Sequence, residues 1–436
     1  MRTLFALFAV FFTALGAHAG LPIQHWVLPN GAKVYFVESH DLPMLDVSVD
    51  FPAGTSMEPA DKGGVANLTA HLLNLGAGGL DDNQISRAMA DVGAQLDGRF
   101  DADRAGVTLR TLSSASERNA ALAVLAKVLQ QPAFPAAVLA REKARVIAAL
   151  REAEAQPDSI AAKTFQMAVF GKHPYARRDS GEIDSVAKLG VADLRRFYRS
   201  HYAAAGAVVA LMGDISRADA DRIAHQLTDQ LPPASAVANR PIPAVPALQQ
   251  AVSRAIAFPA KQSQVLMGQP GVKRGDPDYF ALYVGNYILG GGGFDSRLLN
   301  EVRQKRGLAY SAYSYFLPMR EAGAFQIGLQ TRTDQADEAL QVVRQTLADF
   351  IANGVTDAEL TQAKNNIVGG FPLRIDSNKE ILEYLAVIGF YGLPLNYLDE
   401  FPGRVEAVSA AQVQAAFKRF IDPDKLATVV VGGNGK

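Results

Sequence analysis

Cysteine is missing altogether from this chain of 436 residues. Its absence excludes disulfide bridges, thiol nucleophiles and cysteine-held metal together. An excess of either charge is also missing: 43 Lys and Arg stand against 44 Asp and Glu, for a formal net charge of −1. Such a balance carries no electrostatic footprint for nucleic acid or for an anionic membrane. After the N-terminus, no apolar stretch reaches the length of a membrane span. A chain without cross-links must rely on burial, and 49% hydrophobic content over this length can fill large cores. The length favours two or three domains.

What is present begins with an export signal. Arg2 supplies a positive start, residues 4–16 are apolar, and Ala17-His18-Ala19 is a small-x-small cleavage site. Residues 1–19 therefore read as a signal peptide, with the mature chain starting at Gly20. The apolar run is too short to span a bilayer, and no Cys follows for lipid attachment. The expected location is the periplasm if the source is Gram-negative, and otherwise the extracellular space.

Beyond that point the chain repeats itself. Pro29-Asn30-Gly31-Ala32 between apolar runs predicts a hairpin, and residues 45–51 alternate as a third strand. A helix is expected over 62–75, ended by Gly76. Then come a strand at 104–111 and helices at 116–129 and 136–154. A helix at 191–198 and a strand at 207–212 close the series. The same order returns with a strand at 324–331, helices at 334–351 and 357–368, a helix at 410–420 and a strand at 426–431. A spacing of about 210 to 220 residues is too long for a solenoid and suits a duplicated domain. Pro232-Pro233 and the run Pro241 to Pro246 read as a semi-rigid linker. The expected fold is α+β, with two homologous domains at 20–231 and 248–436 joined by a linker at 232–247. Each is a mainly antiparallel sheet with helices packed on one side.

Chemistry concentrates on the helix after the third strand. Val65, Leu68, Leu72 and Leu75 form one stripe of it, while Asn67, Ala70, His71 and Asn74 form another. The second stripe has the spacing of a helical metal site, ligands at i and i+4 with a carboxylate between, but Asn, Ala and His occupy it. The run Gly63-Gly64-Val65-Ala66-Asn67-Leu68-Thr69-Ala70-His71-Leu72-Leu73 resembles the signature helix of the pitrilysin-type zinc peptidases (insulinase, mitochondrial processing peptidase), whose motif is the inverted H-x-x-E-H. The resemblance puts Asn67 at the first His, Ala70 at the Glu base and His71 at the second His. It puts Ala149 at the third ligand, a Glu in the family, with Glu152 one turn further along. Catalytic zinc needs about three protein ligands and a water. The resemblance thus implies a degenerate site that binds no metal in this chain. Taken alone, His71 is a helix histidine without a ligand role.

The second domain keeps more. Ile288 to Leu298 includes Gly290, Gly291, Gly292 and Gly293, and leads through a helix capped by Asp295 or Ser296 to Lys305, Gly307 and Tyr310. This stretch is similar to the family's C-terminal substrate-binding segment, in which an Arg and a Tyr seven apart reach the zinc centre of the facing half. Arg303 and Tyr310 match those positions. On local chemistry alone they are a surface Arg and a strand Tyr at the core edge. In the family's role, a guanidinium fork and a phenol would hold a peptide carbonyl and its developing oxyanion. The four glycines are either a tight helix-to-helix turn or a flexible peptide-contacting loop; no Gly-Lys-Ser/Thr follows to make a phosphate loop. Asp97, Asp101 and Asp103 read as a solvated turn.

The resemblance implies a non-catalytic subunit of a heteromeric zinc metalloendopeptidase. Its partner, an intact H-x-x-E-H homologue, would carry the zinc, while this chain would supply Arg303, Tyr310 and part of a peptide chamber. The alternative is a scaffolding or peptide-binding protein of the same fold without catalytic duty.

Overall fold

The computed structural model describes residues 21–234 and 241–433. The expected signal peptide at 1–19 and part of the expected linker, 235–240, lie outside the described residues. Asn30-Gly31 turns the chain as its sequence demands. Gly31 takes φ +90°, Asn30 Oδ1 accepts from the Ala32 amide at 3.0 Å, and Gln24–Val27 pairs antiparallel with Lys33–Glu38.

Two sheets follow from the duplication. The first runs Gln24–Val27, Lys33–Glu38, Val208–Gly213, Met44–Phe51, Ala105–Leu112, Gln95–Phe100. The second runs Val252–Ile256, Ala427–Val431, Gln262–Pro270, Ala324–Arg332, Ala309–Phe316. Apart from the extra opening strand the two orders coincide. Each sheet has one parallel pair, Lys33–Glu38 with Val208–Gly213 and Val252–Ile256 with Ala427–Val431. Its other pairs are antiparallel. The chain is therefore α+β with two homologous, mainly antiparallel halves.

Strand alternation sends successive side chains to opposite faces, and the two faces meet different neighbours. In the first sheet Val34, Phe36, Leu45, Val47, Val209 and Leu211 face the half's own helices, including Leu122 and Leu125 of Ala115–Gln130. On the other face Val37, Ala210 and Met212 pack on Ile381, Leu382, Leu385 and Ala386 of Asn378–Tyr391, a helix from the second half. The exchange is reciprocal. Pro157–Phe170 of the first half places Ala161, Phe165 and Val169 against Leu266, Val429 and Val431 of the second sheet. Small residues allow both approaches. A Cβ on Gly389 would sit 2.6 Å from Val208 Cγ1, and one on Gly268 would sit 3.0 Å from the Phe165 ring. Each half's own helices thus cover one side of its sheet, and a helix from its sister covers the other.

A buried carboxylate sits at the junction, where the sequence suggested a solvated turn. Asp103 is 1% exposed. It accepts from Tyr175 Oη at 2.6 Å, Tyr391 Oη at 2.9 Å and the Arg320 amide at 2.7 Å. Two of those three donors belong to the second half. They lie 288 and 217 residues along the chain, beyond the reach of any local pattern. Asp101 does make the expected turn, accepting from the amides of Asp103 and Arg104 at 2.9 Å. Asp97 lies exposed on the edge strand Gln95–Phe100.

The motif helix is shorter than its periodicity suggests, Val65–Leu72. Gly64 precedes it at φ +89°, where a Cβ would lie 2.9 Å from Val186 Cγ2. In place of a Ser or Thr cap, Glu58 Oε1 accepts from the Ala66 amide at 2.8 Å. Glu58 is 5% exposed, and burial pushes its carboxyl up to about 8 despite the amides of Ala66 and Gly64.

Removing Asp103 leaves two phenols and a backbone amide without their acceptor, at about 1–3 kcal/mol for each buried group left unsatisfied, so Asp103→Ala should cost on the order of 3–5 kcal/mol in denaturant-induced unfolding. An effect within error of zero would refute a tie between the halves at this residue. Glu58 sets a pH dependence. Its folded carboxyl binds a proton that the unfolded chain, with an ordinary value of 4.5, has already lost. Its contribution to stability therefore falls as pH rises from about 4.5 to about 8. Glu58→Gln should flatten the stability curve over that window, and an unchanged slope would contradict this reading.

Candidate functional site

The helix Val65–Leu72 turns its apolar stripe into the first half's core, with Val65, Leu68 and Leu72 buried. The stripe with metal-site spacing runs from the core to the surface and carries a single imidazole. Asn67 is half-buried, Ala70 is buried, and His71 is exposed at the surface. The methyl of Ala70 stands where the resemblance implies a proton-accepting carboxylate, and it can neither take nor give a proton.

The neighbouring helix, Ala136–Ala153, meets His71 through Glu142. His71 Nε2 lies 3.1 Å from Glu142 Oε2. Glu142 is buried, and both its oxygens are occupied: Arg141 Nε donates to Oε1 at 2.8 Å, and Arg145 Nη1 donates to Oε2 at 2.9 Å. Burial acts to raise its carboxyl, but Arg141, His71 and Arg145 outweigh it and hold the group below the usual glutamate range. Arg141 also donates to Asp82 at 2.9 Å, tying the cluster to the helix Asp82–Asp91.

Ala149 and Glu152 are both exposed. Seven residues after Glu142, Ala149 lies about two turns along the helix. Glu152 is further still, so the acid that meets His71 is Glu142 and not Glu152. Sequence reasoning missed this pairing, although a signal existed. Leu139, Val146 and Leu150 are apolar neighbours of Glu142 along one helix face. An acid in such a stripe is buried only with partners.

The zinc of the related peptidases does not fit these residues. His71 is the only imidazole, and the one carboxylate beside it already accepts three donors. Among the described residues no group of three His, Cys, Asp or Glu side chains converges as metal ligands would. No hydrolytic step is derived through a metal held by this chain.

Arg303 and Tyr310 come together in the second half. The short helix Arg297–Leu299 widens into a π turn, Asn300–Gln304, in which the Lys305 amide reaches the Asn300 carbonyl at 3.0 Å. Such turns recur at functional sites. The expected regular helix is thus replaced by a wider one that ends at Gly307. The strand Ala309–Phe316 then begins with a bulge between Ala309 and Ala312, which frees Tyr310 from the ladder. Tyr310 is 81% exposed. The Arg303 guanidinium lies over its ring at 4.5 Å, and over the ring of Phe294 at 5.1 Å. Phe294 is itself largely exposed. The arginine, on the π turn, is therefore held in a cation–π stack against Tyr310, which stands on an edge strand.

The four glycines form the turn entering this segment. Tyr287–Gly291 is a second π turn, in which the Gly292 amide reaches the Tyr287 carbonyl at 2.7 Å. Gly290 is buried, and a Cβ there would meet the Ser314 backbone and hydroxyl at 2.5 Å. Gly291 and Gly293 are exposed, with Gly293 at φ +62° in open space. The helix-to-helix turn accounts for Gly290, and Gly291 and Gly293 face solvent. No hydrogen bond or ion pair among the described residues joins the Arg303 cluster to the His71 cluster.

Comparison with known proteins places the chain in a family. Residues 33–180 match the insulinase model of peptidase family M16, and residues 188–367 match the model described as the M16 inactive domain. A crystal structure of a peptidase M16 inactive domain from Pseudomonas fluorescens is 38% identical, with a TM-score of 0.91 over 95% of this chain and 98% of that one. The non-peptidase homologue YmxG of Helicobacter pylori is 26% identical across 93% of this chain and 94% of the relative. A probable mitochondrial-processing peptidase subunit beta from Arabidopsis thaliana is 24% identical, across 93% and 77%. The chain belongs to the M16, insulinase-type peptidase family, as an inactive homologue of its peptidases.

Proposed function

We propose that this chain is the non-catalytic subunit of an exported, two-chain zinc metallopeptidase. An H-x-x-E-H homologue would hold zinc and the general base. This chain would supply Arg303, Tyr310 and one wall of a peptide chamber. The observation that carries the reading is an asymmetry between the halves. In the first half the metal-site positions hold Asn67, Ala70 and Ala149, and a cage of donors saturates Glu142. In the second half Arg303 is poised over an exposed Tyr310 that a bulge turns out of its sheet. A guanidinium and a phenol so placed suit a peptide carbonyl whose oxygen gains charge in the transition state.

The N-terminal signal pattern supports export, and no helix among the described residues is long and apolar enough to cross a membrane. If Arg303 and Tyr310 have no catalytic duty, the same fold would serve as a scaffold, and the assays below distinguish the two.

When the chain is coexpressed with an intact homologue from the same source, Arg303→Ala or Tyr310→Phe should lower peptide turnover by about 10² to 10³, with assembly unchanged by size exclusion. Full turnover by intact assemblies of both variants would instead favour the scaffold. Elemental analysis of the purified chain alone should find far less than one zinc per molecule, because three ligands are needed and one imidazole remains. Stoichiometric zinc would overturn the assignment of the metal to the partner.

A further inference from the structure

A cavity of about 160 Å³ lies between the helices Tyr279–Asn286, Asn378–Tyr391 and Tyr397–Glu406. The peptidase reading gives it no role. Arg274, Arg374, Tyr279, Tyr283, Tyr384 and Tyr397 line it with two apolar side chains, and no carboxylate does. Arg374 donates to Tyr283 Oη at 2.8 Å; burial acts against its charge, and Tyr283 and Tyr384 favour it. A phenol oxygen that accepts from a guanidinium still has its own proton to donate. Burial raises Tyr279, Tyr384 and Tyr397 above the usual phenol range, so those protons stay in place at neutral pH.

Arg274 shows the deficit most clearly. Its guanidinium rests 5.3 Å from the Tyr391 ring, and its Nε is enclosed without a hydrogen-bond partner. A guanidinium cannot shed its proton to escape such a setting. Two fixed positive charges and a ring of hydroxyl donors, with no acid among them, are complementary to a group that only accepts.

We propose that this cavity binds a small oxyanion, a carboxylate or a phosphate, between the guanidinium groups of Arg274 and Arg374 with the tyrosine hydroxyls as further donors. The inference does not depend on pairing with a peptidase. It has a consequence for the fold. Tyr384 and Val387 line the cavity from the same helix whose Ile381 and Leu385 pack on the first half's sheet. A bound anion would fasten the crossing helix to the half that supplies it.

The test is thermal unfolding of the full chain, titrated with sodium phosphate and separately with sodium acetate, against sodium chloride at matched ionic strength. A ligand that binds only the folded state raises Tm with the logarithm of its concentration. The expected result is such a rise with phosphate, acetate or both, and none beyond the salt control with chloride. A response to one anion alone identifies which source the site takes. Arg374→Gln, at an exposed residue, should weaken the apparent affinity at least tenfold. Arg274→Gln should abolish the response, and if it fails to fold, Arg374→Gln carries the test. No rise beyond chloride in the wild type overturns the proposal, and so does an equal rise in a folded arginine variant.

Discussion

The two crossing helices are the constraint on which the rest of this molecule depends. A sheet with two apolar faces must cover both. Each sheet here covers one face with its own helices and the other with Pro157–Phe170 or Asn378–Tyr391 from its sister. Each fully buried Leu, Ile or Phe contributes about 1.5–3 kcal/mol, so neither half can leave without exposing apolar surface on both. Asp103 fixes the arrangement by collecting donors from the two sides. Apolar contact tolerates sliding, whereas three directional bonds to one carboxylate do not.

That rigid frame explains how a lost active site can persist without disorder. In a zinc peptidase the ligands satisfy one another through the metal. Here the buried acid beside His71 is satisfied by protein donors, with Arg141, Arg145 and His71 around Glu142. A buried carboxylate without partners would be costly, and this one has a donor at each oxygen. The first half is thus closed chemically as well as structurally. The second half differs in kind. Its π turns and bulge depart from ideal geometry around Arg303 and Tyr310, and such departures cluster where side chains must be aimed.

Much of this was legible in advance. The hairpin at Asn30-Gly31 and the repeated order of elements follow from turn chemistry and from periods of 2 and 3.6, while the reading of Asn67, Ala70 and His71 as degenerate positions is what the resemblance to the zinc-peptidase helix implies. The motif helix starts late because Gly64 takes φ +89°, with Val186 so close that a Cβ there would lie 2.9 Å from its Cγ2, a proximity that no local pattern records. Glu142 was hidden for a related reason. Its place in an apolar stripe is a local fact, but its partner His71 is 71 residues away.

Composition and local pattern by themselves determined the absence of disulfides, the doubled α+β plan, and the spacing of Arg303 and Tyr310. Only the tertiary structure decided which sheet each crossing helix covers, that Asp103 is a buried tie rather than a solvated turn, and that Arg274 and Arg374 share a cavity without an acid. The division has a physical cause. Propensity, capping and periodicity act within a few residues. The exchange of helices and the placement of charge around Asp103 and Arg274 depend instead on contacts between segments up to 288 residues apart.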